Sequence, residues 1–179
     1  MDWIWWLLLA VLVLMVGLWL YWTAHRLDRM HHRIEVSRAA LDAQLLRRSG
    51  AALELATSDT LDPARSLLLV DAAHVARAAA GDDLESAQSD LSESLRAVLA
   101  DRDELDQLRA RRDVGPLLDE LAASCRKVEL ARRFHNDVVV SARALRSRRR
   151  VRWLRLAGNA AELRTVDLDD VPPAALVAD

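Results

Sequence analysis

Twenty consecutive residues without a charged side chain, WIWWLLLAVLVLMVGLWLYW from Trp3 to Trp22, constrain this chain more than any other feature. At about 1.5 Å per residue, a helix of that length is ~30 Å long, the thickness of a bilayer's hydrocarbon core. Trp3, Trp5 and Trp6 stand at one end, and Trp19, Tyr21 and Trp22 at the other. Indole and phenol rings favour the headgroup boundary, where an apolar face and a polar edge are both satisfied. A cleaved leader would want a basic start and small residues before the cut. Met1-Asp2 carries no basic side chain, and a cut after Ala24 would place bulky Trp22 three residues upstream. The expectation is an uncleaved transmembrane anchor over residues 1–23.

Orientation is read from the flanks. Only Asp2 precedes the span, whereas Arg26, Arg29, Arg33 and Arg38 follow it, with His25, His31 and His32 among them. Basic residues close to a span stay cytoplasmic. The chain is therefore expected in the cell membrane, single-pass, with its N-terminus outside and its C-terminal part in the cytoplasm. Cys125 is the only cysteine, so no intrachain disulfide forms, as suits a reducing compartment.

The remainder reads as helix. The whole chain has only five glycines, and no Asn-Gly or Asp-Gly hairpin signal occurs. A first helix is expected over 24–57, with Leu27, Met30, Ile34, Leu41 and Leu45 on one face. Asp62-Pro63 supplies a side-chain cap followed by proline at the first helical position, so a second helix should run over 63–80, carrying Leu67, Leu68, Val70, Ala73 and Val75. After Gly81, a third is expected over 83–111 (Leu84, Leu91, Leu95, Val98, Leu105, Leu108). A fourth, opened by Pro116, should reach 156 with Leu117, Leu121, Val128, Ala131, Val138, Ala142 and Leu145 on its stripe. The fold class is all-α: one N-terminal transmembrane helix, then an antiparallel up-and-down helical bundle over 24–157, with four helices. In the three-helix alternative Gly81 lies inside a single second helix. Residues 158–179, acidic and containing Pro172-Pro173, are expected to be a disordered tail.

Two segments resemble the LemA family. Leu41-Asp42-Ala43-Gln44-Leu45-Leu46-Arg47-Arg48 is similar to its hydrophobic-Asp-x-Gln-Leu-x-Arg-Arg block, and Ala131-Arg132-Arg133-Phe134-His135-Asn136-Asp137-Val138 to its Ala-Arg-x-x-Tyr-Asn-x-x-Val block. Leu156-Ala157-Gly158 also fits. Departures are Gly50 to Leu55, where the family's proline is missing, and His135 in place of tyrosine. The resemblance spans about residues 3–170. It implies a divergent member: a bacterial membrane protein with an anchored four-helix bundle and no catalytic residues. Its shared positions here are Asp42, Gln44, Arg47, Arg48, Arg132 and Asn136.

Charge is uneven although the net value is −2. Residues 81–120 hold twelve acids against five arginines, whereas 143–155 hold seven arginines and no acid. If the last helix returns towards the anchor, Arg143, Arg146, Arg148, Arg149, Arg150, Arg152 and Arg155 join Arg26, Arg29 and Arg33 at an anionic lipid surface, with Trp153 dipping into the interface. The bland alternative is a solvated helix end whose cations favour the negative dipole pole. Nucleic acid would want the same cations in a groove or with interleaved aromatics, and neither is visible.

His25 and His32 share a helical face, but no carboxylate or cysteine completes a ligand set, so no metal is expected. His135 falls on the apolar stripe and reads as a core histidine. Asn136 is expected to bond Asp42, Gln44 or Arg47 across the bundle. Cys125 is a small apolar residue with no activating partner. With no phosphate loop or nucleophile elbow, neither enzyme activity nor a cofactor is expected.

The expected function is a membrane-anchored helical scaffold or adaptor that binds membrane lipids, unidentified proteins or further copies of itself. The alternative is a regulatory, signal-relay membrane protein. A hydrolase ranks behind both.

Overall fold

The computed structural model describes residues 2–146 and 163–177, apart from the side chains at some positions between Asp2 and His31 and at Leu145, Arg146 and Val177. Among the described residues every regular element is helical: α1 (Asp2–Ala56), α2 (Pro63–Ala78), α3 (Asp83–Val98), α4 (Arg102–Arg109), α5 (Gly115–Arg146) and α6 (Ala174–Val177). The result is a helical bundle. Both α1 and α5 contribute to two compact units. The first takes residues 1–36 and 137–164, and the second 37–136 and 165–179.

In the first unit, Val139, Ala142 and Leu163 are buried, with Met30 and Ile34 packed on them. Thus the end of α5 lies against α1 a few residues past its apolar run. Every described side chain from Trp3 to Trp19 is exposed. Among the described residues, no helix is long and apolar enough to cross a membrane. The unbroken stretch of described apolar side chains stops at Trp19.

In the second unit, local chemistry decides where helices end. α1 stops because Thr57 and Ser58 turn their hydroxyls back to the carbonyls of Leu53 and Leu55, at 2.9 and 2.7 Å, and Ser66 Oγ donates to the Ala56 carbonyl. Asp62 caps α2 as expected, accepting from the amides of Ala64 and Arg65 at 3.0 and 3.3 Å. Gly81, at φ +64°, separates α2 from α3, so these are two helices rather than one.

The long third helix expected over 83–111 is broken. Leu99 leaves helical geometry (φ −106°, ψ 36°), and Asp101 caps α4 by accepting from the Glu104 amide at 3.1 Å. Asp101-x-x-Glu104 has the acceptor and acid spacing of a helix start, which competes with continuing the helix. α5 opens on Gly115, where a Cβ would lie 2.7 Å from the Arg109 carbonyl oxygen.

The core of this unit joins Leu55 of α1, Leu69 and Ala73 of α2, Leu91 and Leu95 of α3, Leu105 of α4 and Leu118 and Leu121 of α5. α2 turns only part of its apolar set inward: Ala73 is buried and Val70 packs against the core. Leu69, Ala73 and Ala76 are buried, whereas Leu67, Leu68 and Val75 are exposed. The run Leu67-Leu68-Leu69-Val70 is apolar all round, and the small alanines set the phase by letting α3 approach.

The C-terminal segment differs most from expectation. Residues 163–177 are ordered against the helices: Leu163, Val166, Leu168 and Leu176 are buried, as is Asp170. Alternating burial at 166, 168 and 170 is the period of an extended chain with one face on a core. Val166 and Leu168 join Leu41, Leu45 and Val128 in a second cluster. These apolar contacts, with the polar ones below, offset the entropy that the acidic, proline-containing composition would otherwise keep.

Candidate functional site: an arginine-lined groove filled by the C-terminal strap

Leu41, Leu45, Ala52 and Leu55 mark the inward face of α1, and their spacing places Arg48 on that same face. The side chain is 1% exposed. Its Nη1 donates to Ser92 Oγ at 2.9 Å, and its Nη2 to the Gln88 carbonyl and Gln88 Oε1 at 2.9 and 2.8 Å. Gln88 Nε2 in turn donates to the Ala76 carbonyl at 3.0 Å. All of these acceptors are neutral, and Arg48 Nε has no acceptor. Burial pushes the guanidinium below its ordinary pKa, while Cys125, Asp170 and Asp169 oppose that shift. A buried cation with neutral partners demands compensating charge. The two carboxylates that act on it, Asp170 and Asp169, belong to the strap formed by residues 165–177.

Five strap positions, Val166, Asp169, Asp170, Val171 and Leu176, are held by side chains of the helices, because helical backbone groups are already paired. Asn136 of α5 brackets Val166: its Nδ2 donates to the Val166 carbonyl and its Oδ1 accepts from the Val166 amide, both at 2.9 Å. The amide thus imitates a neighbouring strand. Ser92 Oγ donates to the Asp169 carbonyl at 2.6 Å, and Ser89 Oγ accepts from the Asp169 amide at 3.0 Å. Arg96 donates to the Asp169 carboxylate at 2.5 Å and to the Val171 carbonyl at 2.9 Å. Arg132 grips Asp170 with two bonds, Nε to Oδ2 at 2.6 Å and Nη2 to Oδ1 at 2.9 Å. Arg109 of α4 donates to the Leu176 carbonyl at 3.0 Å. Asp169 is held below the usual carboxylate range, chiefly by the bond from Arg96. The bond to Asp170 raises Arg132.

Of the family-like positions, the structure therefore brings Arg48, Arg132 and Asn136 to one groove. Asn136 bonds the strap rather than Asp42, Gln44 or Arg47, because its position on α5 faces the Val166 backbone. Asp42 pairs locally with Arg38 at 3.1 Å, one turn earlier. Arg47, beside Arg48 in sequence but a third of a turn round the helix, is exposed. Gln44 is half-buried. Ser89, Ser92, Gln88 and Arg96 were not singled out by sequence reasoning. The serines and Gln88 lie on the same face of α3 as Leu91 and Leu95, and polar residues at such positions are the signal that would have found them.

His135 is buried as expected, its Nδ1 sharing a hydrogen bond with Ser37 Oγ at 2.9 Å. Cys125 is also buried, and desolvation pushes its thiol pKa up. The His25 ring stacks on Tyr21 at 5.9 Å. Among the described residues no group of three or more His, Cys, Asp or Glu could hold a metal.

Of the expected lipid-facing arginines, Arg33 is exposed, and Arg143 donates from Nε to the Leu163 carbonyl at 2.8 Å within the first unit. The side chains of Arg26, Arg29 and Arg146 lie outside the described residues, as do Arg148, Arg149, Arg150, Arg152, Trp153 and Arg155.

Comparison with protein-family models, with curated proteins and with solved structures finds no match for this chain.

Proposed function

We propose that this chain is a membrane-anchored scaffold or adaptor, held by residues 3–22 and presenting an antiparallel up-and-down helical bundle on the cytoplasmic side. The observation that carries the reading is the surface of α1 from Trp3 to Trp19. All of its described side chains are exposed, among them Trp5, Trp6 and Leu14, each more than 70% exposed. Water-soluble monomers rarely show contiguous apolar patches above a few hundred Å². The uncharged sequence continues to Trp22 and is followed by the cationic flank that favours a cytoplasmic bundle.

The adaptor part rests on the second unit. Its buried and half-buried polar side chains bond peptide backbone and carboxylates, which is binding chemistry. The LemA resemblance fits the same reading, since its two segments supply Arg48, Arg132 and Asn136. The cationic ends at Arg26, Arg29 and Arg33 and from Arg143 to Arg155 would meet anionic headgroups at about 1 kcal/mol each near the surface.

The test uses the full chain in cells. It is expected in the membrane pellet and resistant to alkaline extraction, whereas Leu9→Arg with Leu12→Arg, at about 2.5–3.5 kcal/mol per charge at the span centre, shifts it to the supernatant. Buried Cys125 is a poor sidedness probe, so exposed Ala97→Cys in a Cys125→Ala background replaces it. Release of the unaltered chain by alkali would sink the anchor. Labelling of this Ala97→Cys variant by an impermeant maleimide in intact cells would reverse the orientation.

A further inference from the structure

Within the second unit, the strap lies against the helices as a ligand lies in a site. Most of its anchors address main-chain groups. Asn136 takes both sides of Val166, Ser89 and Ser92 take both sides of Asp169, and Arg96 and Arg109 take the carbonyls of Val171 and Leu176. Such bonds accept any extended chain. Selectivity comes from two further features. Apolar side chains two apart, Val166 and Leu168, drop into the cluster of Leu41, Leu45 and Val128. An acidic pair follows directly, Asp169 on Arg96 and Asp170 on Arg132.

Beneath the pair lies Arg48, whose direct acceptors are all neutral. With the strap lifted, Arg48, Arg96 and Arg132 would form a cationic patch without a carboxylate partner in contact, beside an open apolar slot. That surface demands an anionic occupant.

We propose that this groove is a binding site for an extended acidic segment of a partner protein, with apolar residues two apart followed by two acids, and that the chain's own strap fills it in cis until displaced. The proposal deepens the adaptor reading by naming the chemistry of its partner, and does not depend on the anchor. Recognition follows the logic of strand addition, except that side chains rather than a sheet edge read the peptide backbone. The strap competes at the high effective concentration of a tethered ligand, so a partner needs either a better match to the pattern or a second contact. An acidic pair on two arginines also favours fast encounter at low salt.

The experiment uses the full chain in detergent micelles and a fluorescent peptide of the wild-type sequence Thr165 to Val177. Asp169→Asn with Asp170→Asn loosens the strap and leaves the groove intact. This variant is expected to bind the peptide at least tenfold more tightly than the unaltered chain does, and adding Arg132→Gln should remove that gain. Absence of peptide binding by a variant with native helicity would overturn the proposal, and so would binding indifferent to Arg132→Gln.

Hydrogen exchange on the unaltered chain keeps the idea testable if the variant misfolds. The amides of Val166 and Asp169 should exchange at least 100-fold faster than those of Leu91 and Leu95. Exchange of all four together would make the strap an inseparable part of the core and refute displacement. A concentration-dependent dimer of the unaltered chain that is lost with the acidic pair would identify a second copy, not a partner, as the occupant. Alkaline extraction reports on the anchor separately, so failure of peptide binding and failure of membrane attachment are distinguishable.

Discussion

Asp170→Asn is the sharpest perturbation of the strap. The carboxylate is 7% exposed, its partner Arg132 is 22% exposed, and two charge-assisted bonds of 2.6 and 2.9 Å join them. Breaking a fully buried pair costs about 3–5 kcal/mol, because one charge is left uncompensated. Arg132 retains some water access, and asparagine keeps one acceptor, so the loss should be about 2–3 kcal/mol. Asp170 also offsets the buried charge of Arg48, which holds the figure up rather than down. The loss falls on strap opening before it falls on the helices. At 1.36 kcal/mol per decade, the open population rises roughly 30- to 150-fold. Native-state hydrogen exchange at the Val166 and Asp169 amides reads that ratio directly. A double-mutant cycle with Arg132→Gln should then show strong coupling, since either change alone removes the same contact. Unchanged protection in Asp170→Asn, or strictly additive effects in the cycle, would refute the assignment of the strap's hold to this pair.

The strap should loosen in acid. Asp169 has a depressed pKa in the folded chain, so its contribution is complete above the ordinary carboxylate pKa of about 4 and is lost as pH falls through the lower folded value. Protection of the Asp169 amide should be flat from pH 8 to about 5 and decline below about 4, and Asp169→Asn should abolish that decline. A midpoint between pH 6 and 8 would point to a different group. At the helix boundaries, Gly115→Ala should destabilise more than Gly81→Ala. The first drives a Cβ to 2.7 Å from a backbone oxygen, whereas the second meets open space and pays only for φ +64°, about 1–2 kcal/mol. Denaturant midpoints in the same detergent rank the two, and the reverse order would contradict the close approach of Gly115 to Arg109.

Where contacts are local, the sequence is a reliable guide. Asp62-Pro63 starts α2, Gly81 parts α2 from α3, and the stripe of Leu91, Leu95, Val98 and Leu105 is buried as read. Asp101-x-x-Glu104 has the spacing of a helix start, but the leucine stripe that carries on through the break masks it. The phase of α2 was not legible, since Leu67 to Val70 suits any inward face until the partner helix chooses the alanines.

The strap lies furthest from what sequence can show. Its alternation at Val166, Leu168 and Asp170 extends over only a few residues and sits beside two prolines and several acids, a composition that argues for disorder. What orders it comes from Asn136, 30 residues away, and from Ser89, 80 residues away. The apolar run at the N-terminus presents the opposite case, for there the sequence states the chemistry and the folded chain adds only helix and exposure.

Arg48 ties these observations into one argument. A methionine of similar length would fill the same space on the inward face of α1 without desolvating a charge, and replacement of buried ionic groups by apolar ones is often neutral or stabilising. The stability of the helical core therefore gives no reason for an arginine there. Its charge acts outward, on whatever lies over α3: it helps to lower Asp169, yet bonds neither Asp169 nor Asp170 directly. An apolar residue would leave Val166 and Leu168 to select the occupant by hydrophobicity alone, and any extended apolar segment would serve. With Arg48 beneath and Arg96 and Arg132 at the sides, a segment lacking acids leaves cations uncompensated, which rejects it by the cost of the empty pairing rather than by a weaker fit. The buried arginine is thus better explained as a filter on the groove than as a support for the bundle.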